Sequence, residues 1–494
     1  VLSAGAGPAV RPAPPLPPDV VFLFSGHGGQ HTGMAAELYA RWPRFREDLD
    51  TCAELAEPRL GFDLREVLFP DEDDEAAVRR AGTQLATMAV GQPVVFAVEY
   101  ALAGLWRSFG VEPATVAGHS LGAYAAATTA GVLSCADAVL LVTERGRLMD
   151  EMPAGAMLAV SAPAERLRTR LGPRLSVAAV NGPAQCVVAG SVDAVEALRA
   201  ELAEEGVENR RLHISAAAHS PLVEPALDTF RERVRSVRLA PPKLTWISDS
   251  TGRPVSAQEA IDPEYWVRHM RRTVNFAAVF DTVLGPVDGL APAALVEVGP
   301  GRTLSGLARQ YLTQGAAGDE RVVVPSMPHV ADPTPGAEVL LTAVGRLWQA
   351  GVPVTWSELH PEERLRRVPL PTYPFEPRRF RLDGDEQSQH DTGRRAELPA
   401  PRAERSAPVR PAGDTPPGDT EAVVAAAYST ILGLDEVDRH RDFFELGGDS
   451  LLAARVATIL RRELGGDIGV RAVFGAPTVA RLAEAIDRRR DAAS

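Results

Sequence analysis

The segment Thr115–Gly131 contains Gly118-His119-Ser120-Leu121-Gly122, set between a short apolar run, Ala114–Ala117, and a strong helix former, Ala123–Thr129. A strand that turns directly into a helix leaves no room for side chains beside the turning residue, so glycine is expected on both sides of it. A serine at such a turn sits on a helix N-terminus, where backbone N–H groups can stabilise an oxyanion. Serine becomes a nucleophile only beside a base, and the chain offers ten histidines. His119 is expected to point away from its neighbour, and His213 falls in a charged strand-like run. His219, in Ala216-Ala217-Ala218-His219-Ser220-Pro221, lies on a loop between a strand and a helix, a good position for a base. Asp137, Asp150 and Asp193 lie between the two in sequence, but each reads as a helix or cap residue. Spacing alone therefore gives a Ser120–His219 dyad with no acidic third member.

A second serine stands in a distinctive setting near the C-terminus, in Asp442–Leu460 (DFFELGGDSLLAARVATIL). Ser450 opens a helix with Leu452, Val456 and Ile459 on one face, and a helix N-terminus stabilises a phosphate. Simple capping by Asp449 or Ser450 would not explain Phe443-Phe444 and Gly447-Gly448 before it, or PTVARLAEAI after it. Residues 435–449 hold six acids against two arginines, an acidic approach surface.

The elements that must hold these residues alternate short strands with helices. VVFLFSG, ATVAG, LTWISD, ALVEVGP and RVVVPSM read as strands of a parallel sheet covered on both faces. Inside that body one block has another rhythm. Strands at 156–162, 176–180, 185–189 and 209–215 alternate with helices at 164–171 and 192–205. The order is βαββαβ, a ferredoxin-like insert. Residues 1–19, with six prolines, read as linker. Residues 383–418 hold six prolines, no aromatic residue, and only Leu398 and Val409 as large aliphatics. Such a segment buries too little apolar surface to order itself, so a disordered linker is expected. From Asp419 helical periodicity returns.

Several motifs together resemble the acyltransferase domain of modular (type I) polyketide synthases and the related malonyl-CoA:acyl carrier protein transacylases. They are FLFSGHGGQHTGM, GQPVVFAVEYALAGLW, GHSLG, TERGRLM, AAAHSPLVEP, YWVRHMRRTVNF, VEVGPGRTL and LPTYPFEPRRF, and they run from about Val20 to Phe380. The resemblance implies an α/β-hydrolase-like body with a ferredoxin-like insert over about 155–216 and a post-acyltransferase linker over about 352–382, within an acyltransferase spanning 20–382. It implies Ser120 as nucleophile and His219 as general base and acid. The backbone N–H groups of His27 and Leu121 would form the oxyanion hole, with His27 standing where the family usually has Gln. A backbone carbonyl near Asn275 would orient His219, and Gln92, Ala216 and Ala218 would line the pocket. Arg145, on residues alone one charge on a helix face, becomes the clamp for the free carboxylate of a malonyl-type group. A planar guanidinium can hold a carboxylate by two parallel hydrogen bonds.

The C-terminal unit, 419–494, resembles a four-helix acyl carrier domain with 4′-phosphopantetheine on Ser450. Its Gly-Gly-Asp-Ser form is closer to peptidyl carriers, so a hybrid peptide–polyketide line also fits. The implied reaction moves an acyl group from a coenzyme A thioester, through Ser120, to the thiol carried by Ser450. Partners implied are malonyl-CoA or a related acyl-CoA, its own or a neighbouring carrier, a ketosynthase and other synthase domains, and a phosphopantetheinyl transferase. A linker of 36 residues spans roughly 30–35 Å on average, enough for the carrier to reach the cleft of its own chain. The extender signals disagree. Leu121 resembles malonyl-selective members, whereas Ala218 leaves open the space beside the substrate α-carbon that a phenylalanine fills in many of them. Malonyl with leakage to methylmalonyl is the expectation, with a transferase selective for methylmalonyl or another substituted malonyl as the alternative. An editing hydrolase and an inactive scaffold with a working carrier are rivals, opposed by the intact Ser120, His219 and Arg145.

Composition narrows the field further. A net charge of -13 argues against nucleic acid, which requires clustered Lys and Arg. Cys52, Cys135 and Cys186 show no ligand-like spacing, so neither a zinc site nor a disulfide framework is expected, and a reducing cytoplasm fits. No uncharged apolar run approaches the ~18 residues of a membrane helix, and no signal peptide is recognisable. The chain opens on Val1 rather than Met, as a piece of a longer polypeptide would.

Overall fold

The structure is a computed structural model and describes residues 17–360 and 419–493, apart from 213, 215, 286–293, 315–320, 433, 435, 436, 445, 447, 449, 466 and 467. His213, most of the N-terminal linker, the 370–380 segment and the 383–418 linker lie outside the described residues.

The body is built on β1 (Val20–Phe24) and β2 (Thr115–Gly118), followed by the insert strands β3 (Gly155–Val160), β4 (Leu175–Gly182), β5 (Gln185–Ser191) and β6 (Asn209–Arg211). The chain then returns through β7 (Thr245–Ile247), β8 (Val274–Asn275), β9 (Ala294–Val298) and β10 (Val323–Pro325). One sheet has the order β10-β9-β1-β2-β7, and all its recorded pairs are parallel. These are the five body strands that the sequence marks. They are apolar throughout because helices cover both faces of the sheet; every residue of β1 and β9 is buried.

The insert sheet has the order β6-β3-β5-β4-β8. Its first four strands follow the ferredoxin-like order, with the helices Ala164–Arg168 and Val192–Glu204 between them. The fifth is a surprise: β8, from the body, pairs parallel with β4 through Ala179↔Val274 and Val180↔Asn275. A two-residue strand leaves no periodicity to read in a sequence.

The Met88–Ser108 helix crosses the middle of the body against the Pro43–Leu60 and Cys135–Asp150 helices. By length and composition it could cross a membrane, but 83% of its most apolar window is buried inside the protein. Its apolar run is broken in sequence by Glu99, which is itself buried and accepts a hydrogen bond from Ser25 Oγ at 2.8 Å. The helix start is fixed from a distance: Asp150 accepts from the Met88 and Ala89 amides at 3.0 and 2.8 Å. These are amides that a helix leaves unpaired, so the end of the Cys135–Asp150 helix caps the start of the earlier Met88–Ser108 helix.

The C-terminal region is helical, with Asp419–Leu432, Ser450–Leu464, Val470–Gly475 and Val479–Ala493. Its own core includes Tyr428, Phe443, Val456, Leu460 and Leu482.

Candidate active site

The elbow forms where β2 runs into the Gly122–Thr129 helix. A Cβ on Gly118 would lie 2.1 Å from the Gly122 carbonyl, and one on Gly122 would lie 2.4 Å from the carbonyl oxygens of Phe24 and Ser25. Neither position tolerates a side chain, which is the physical content of the Gly-x-Ser-x-Gly pattern. Ser120 between them has φ of 54°, in the left-handed region that few residues other than glycine occupy. His119 turns away, as expected, and its Nε2 meets Asn181 Oδ1 of the insert at 2.9 Å.

His219 Nε2 stands 2.7 Å from Ser120 Oγ. The ring is buried, and its backbone is also left-handed, at φ 59°. Nδ1 lies 2.7 Å from the Arg272 carbonyl oxygen. A carbonyl can only accept, so Nδ1 carries the proton and Nε2 is free to accept one from serine. Burial, then the positive charge of Arg145, holds the imidazole down to about 3, so it is neutral at neutral pH. The orienting carbonyl thus belongs to Arg272, not to Asn275. Asn275 faces elsewhere: its N–H bonds to the Asp249 carbonyl, and its side chain caps the Phe276–Leu284 helix. A backbone group leaves no residue-type signature by which to place it.

Arg145 projects from the Cys135–Asp150 helix and is only 2% exposed, contrary to the solvated face that its sequence context alone suggests. Its Nη1 donates to Gln92 Oε1 at 2.6 Å, and its Nη2 to Ser120 Oγ at 3.2 Å. The guanidinium also lies over the Tyr124 ring, 5.8 Å from the centroid. Gln92 is fully buried, and its Nε2 meets the sulfurs of Met149 and Met88 at 3.2 and 3.5 Å. Among the described residues no carboxylate pairs with Arg145. Burial lowers its pKa, and a buried unpaired cation is costly. Its position one hydrogen bond from Ser120 suits an anionic group on the substrate.

Neither the Leu121 nor the His27 backbone N–H has an acceptor among the described residues. The His27 side chain does not compete for that space: Gln30 Nε2, which also donates to Leu85 O, lies 2.9 Å from His27 Nε2. Burial, then Arg145, lowers His27 to about 4. Ala216 and Ala218 are buried in the same apolar cluster as Leu121, Met88 and Met149.

Sequence reasoning passed over two buried residues beside the serine. Asp249 Oδ2 accepts from the Ser120 backbone N–H at 2.8 Å, and His269 Nε2 lies 3.1 Å from the same oxygen. The available signal was position: Asp249 ends the LTWISD strand, at the carboxyl end where open parallel sheets place their sites.

In the C-terminal region Ser450 is the first residue of the Ser450–Leu464 helix. Gly448 just before it packs so tightly on Phe443 that a Cβ there would lie 2.2 Å from the ring. A serine at the start of a long helix, on a loop held this closely, fits a phosphodiester-linked group.

The family model described as "Acyl transferase domain" matches residues 21–352, and that described as "Phosphopantetheine attachment site" matches residues 422–486. A phenolphthiocerol/phthiocerol polyketide synthase polypeptide of Mycobacterium tuberculosis is 36% identical over 478 residues, covering 96% of this chain. The chain spans only 31% of that relative's length. Among solved structures, the acyl transferase domain of ZmaA is similar with a TM-score of 0.65 and 34% identity, covering 72% of this chain and 80% of that one. The acyl transferase domain of SpnD, in complex with 2-(pent-4-yn-1-yl)malonyl, gives a TM-score of 0.63 and 40% identity, over 70% of this chain and 79% of that one. With an elbow serine in a parallel α/β body and a carrier domain behind it, the chain belongs to the acyl transferase family and is an acyltransferase–carrier didomain of the modular polyketide synthase type.

Proposed function

We propose that this protein loads a malonyl-type extender unit from coenzyme A onto its carrier domain by way of an ester on Ser120. His219 Nε2 takes the Ser120 hydroxyl proton as Oγ attacks the thioester carbonyl, while Nδ1–H stays on the Arg272 carbonyl. The Leu121 and His27 amides receive the oxyanion. As the carbon–sulfur bond breaks, His219 returns the proton to the departing coenzyme A sulfur. A phosphopantetheine group on Ser450 would supply a thiol on a long flexible arm. In the second half His219 accepts the proton of the acceptor thiol, the oxyanion rests on the same two amides, and the Ser120 oxygen regains its hydrogen.

The observation that carries the reading is Arg145: buried, lacking a carboxylate partner among the described residues, and 3.2 Å from Ser120 Oγ. A hydrolase or transferase of plain acyl groups has no use for a desolvated cation there, whereas the free carboxylate of a malonyl group would neutralise it. The SpnD relative binding a substituted malonyl supports the same substrate class. We place malonyl as the preferred unit on the strength of Leu121, with leakage to methylmalonyl because Ala218 would leave open the space beside the substrate α-carbon. The proposed setting is the cytoplasm, alongside a ketosynthase and a phosphopantetheinyl transferase.

Intact-mass analysis of the phosphopantetheinylated protein after exposure to malonyl-, methylmalonyl-, acetyl- and propionyl-CoA tests this. Ser120→Ala should acquire no acyl mass on the transferase. Ser450→Ala should retain the ester on Ser120 and transfer nothing within the chain. Acyl mass on the Ser120→Ala transferase would refute the nucleophile assignment.

A further inference from the structure

An L-residue resists the left-handed backbone of Ser120, so something must hold it there. The glycines on either side create the space for the turn but exert no pull on the serine. Among the described residues the Ser120 amide donates to Asp249 Oδ2, at 2.8 Å. The sheet brings the two together. β2 and β7 run parallel in the register Thr115↔Thr245, Val116↔Trp246 and Ala117↔Ile247, so the residues that leave the two strand ends emerge side by side. Asp249 is 1% exposed and is itself clamped. His269 Nε2 lies 3.0 Å from Oδ1 and 3.1 Å from Oδ2, and the ring is 2% exposed. The Asn275 amide holds the Asp249 carbonyl. Asp249 makes no hydrogen bond to His219, whose Nδ1 is taken by Arg272, so it is not the acid of a triad.

We propose that Asp249 is a positioning residue for the nucleophile, its carboxylate holding the Ser120 N–H so that Oγ is aimed at His219 Nε2, with His269 fixing the carboxylate. This rests on the reading of Ser120 as nucleophile and extends it to the residues that set its backbone. The charge state agrees with the geometry. Burial alone would raise the Asp249 pKa, but its interaction with the His269 ring and the hydrogen bond from the Ser120 amide hold it below the ordinary carboxylate value. The carboxylate therefore stays a pure acceptor.

The arrangement separates two functions of one side chain. Asp249→Asn keeps an oxygen for the Ser120 amide and loses the charge facing His269. Asp249→Ala loses both. In the full chain, with malonyl-CoA and ester formation followed by coenzyme A release, Asp249→Ala should lower kcat about 10- to 100-fold with KM for malonyl-CoA changed less than threefold. Asp249→Asn should recover most of that loss. A merely structural role would lower the melting temperature and leave kcat per folded molecule unchanged, and that outcome overturns the proposal. Hydrogen exchange on the unmodified protein gives a second measurement that no variant can spoil by misfolding. The Ser120 amide should be strongly protected, and exchange at the rate of an exposed loop amide would also overturn it. Peptide mapping of the ester in the unmodified protein keeps the two readings apart. An ester at a residue other than Ser120 refutes the nucleophile, whereas an ester on Ser120 with kcat indifferent to Asp249→Ala refutes only the positioning.

Discussion

Gln92 Oε1 and Arg145 Nη1 stand 2.6 Å apart, both side chains buried, so the guanidinium is held by a neutral acceptor that steers it without cancelling its charge. A carboxylate in place of Gln92 would hold the arginine more tightly and remove its attraction for an anionic substrate.

Arg145→Ala should therefore reduce loading of malonyl groups far more than loading of acetyl or propionyl groups. Hydrogen bonds to a charged group contribute ~1.5–3 kcal/mol, roughly 10- to 150-fold in preference. Gln92→Glu should act in the same direction with the arginine still present. Competition between malonyl- and propionyl-CoA, read as acyl mass on Ser120, measures both. Equal losses for the two substrates would remove the clamp from Arg145.

The histidines make stability pH-dependent. His219 is lowered to about 3 and His27 to about 4 in the folded protein, in each case first by burial and then by Arg145. On unfolding both return to about 6.5. Below that pH the unfolded chain binds protons that the folded chain refuses, so stability falls as pH falls from about 6.5 towards 4 and 3. The slope is at most about 1.4 kcal/mol per pH unit for each histidine. Urea midpoints at pH 7, 6 and 5 should fall steadily, and His219→Gln should flatten the trend. An unchanged trend in that variant would contradict the neutral, buried base.

Asp150→Ala should destabilise the transferase by about 1–2 kcal/mol, since two amides at the start of the Met88–Ser108 helix lose their acceptor. Because Met88 and Gln92 ride on that helix, KM for malonyl-CoA should rise as well. Thermal melts and initial rates check the two effects separately. Loss of stability with unchanged KM would mean that the helix start does not govern the pocket.

Ala218→Phe should suppress methylmalonyl loading and spare malonyl. One methyl group in an apolar pocket discriminates by ~1–3 kcal/mol, about 10–200-fold. Paired coenzyme A esters competing for the same protein, read by mass on Ser450, decide it. A dominant methylmalonyl product in the unmodified chain would show that the open wall, rather than Leu121, sets the choice.

Much of this site was legible in the sequence because steric exclusion writes itself in residue types. Gly118 and Gly122 announce the elbow, the apolar runs announce the sheet, and the βαββαβ rhythm announces the insert. What stayed hidden depends on groups without a signature or on register. The Arg272 carbonyl belongs to the backbone. β8 is two residues long. Asp249 and His269 become neighbours of Ser120 only when β7 is laid beside β2, and nothing in Trp-Ile-Ser-Asp foretells that pairing. Arg145 reads as a surface charge until the Met88–Ser108 helix is placed against it.

The strand that β8 lends to the insert has a mechanical consequence. Arg272 lies two residues before β8, and its carbonyl fixes the imidazole of His219. The insert, through Asn181, also grips His119 next to the nucleophile. The lobes are thus riveted at both ends of the proton-transfer pair, and a hinge motion that widened the cleft would tug on the base and the serine together. Grafting a foreign insert between related transferases should then succeed only when residues 272–275 travel with it, because the seam between the lobes runs through that short strand.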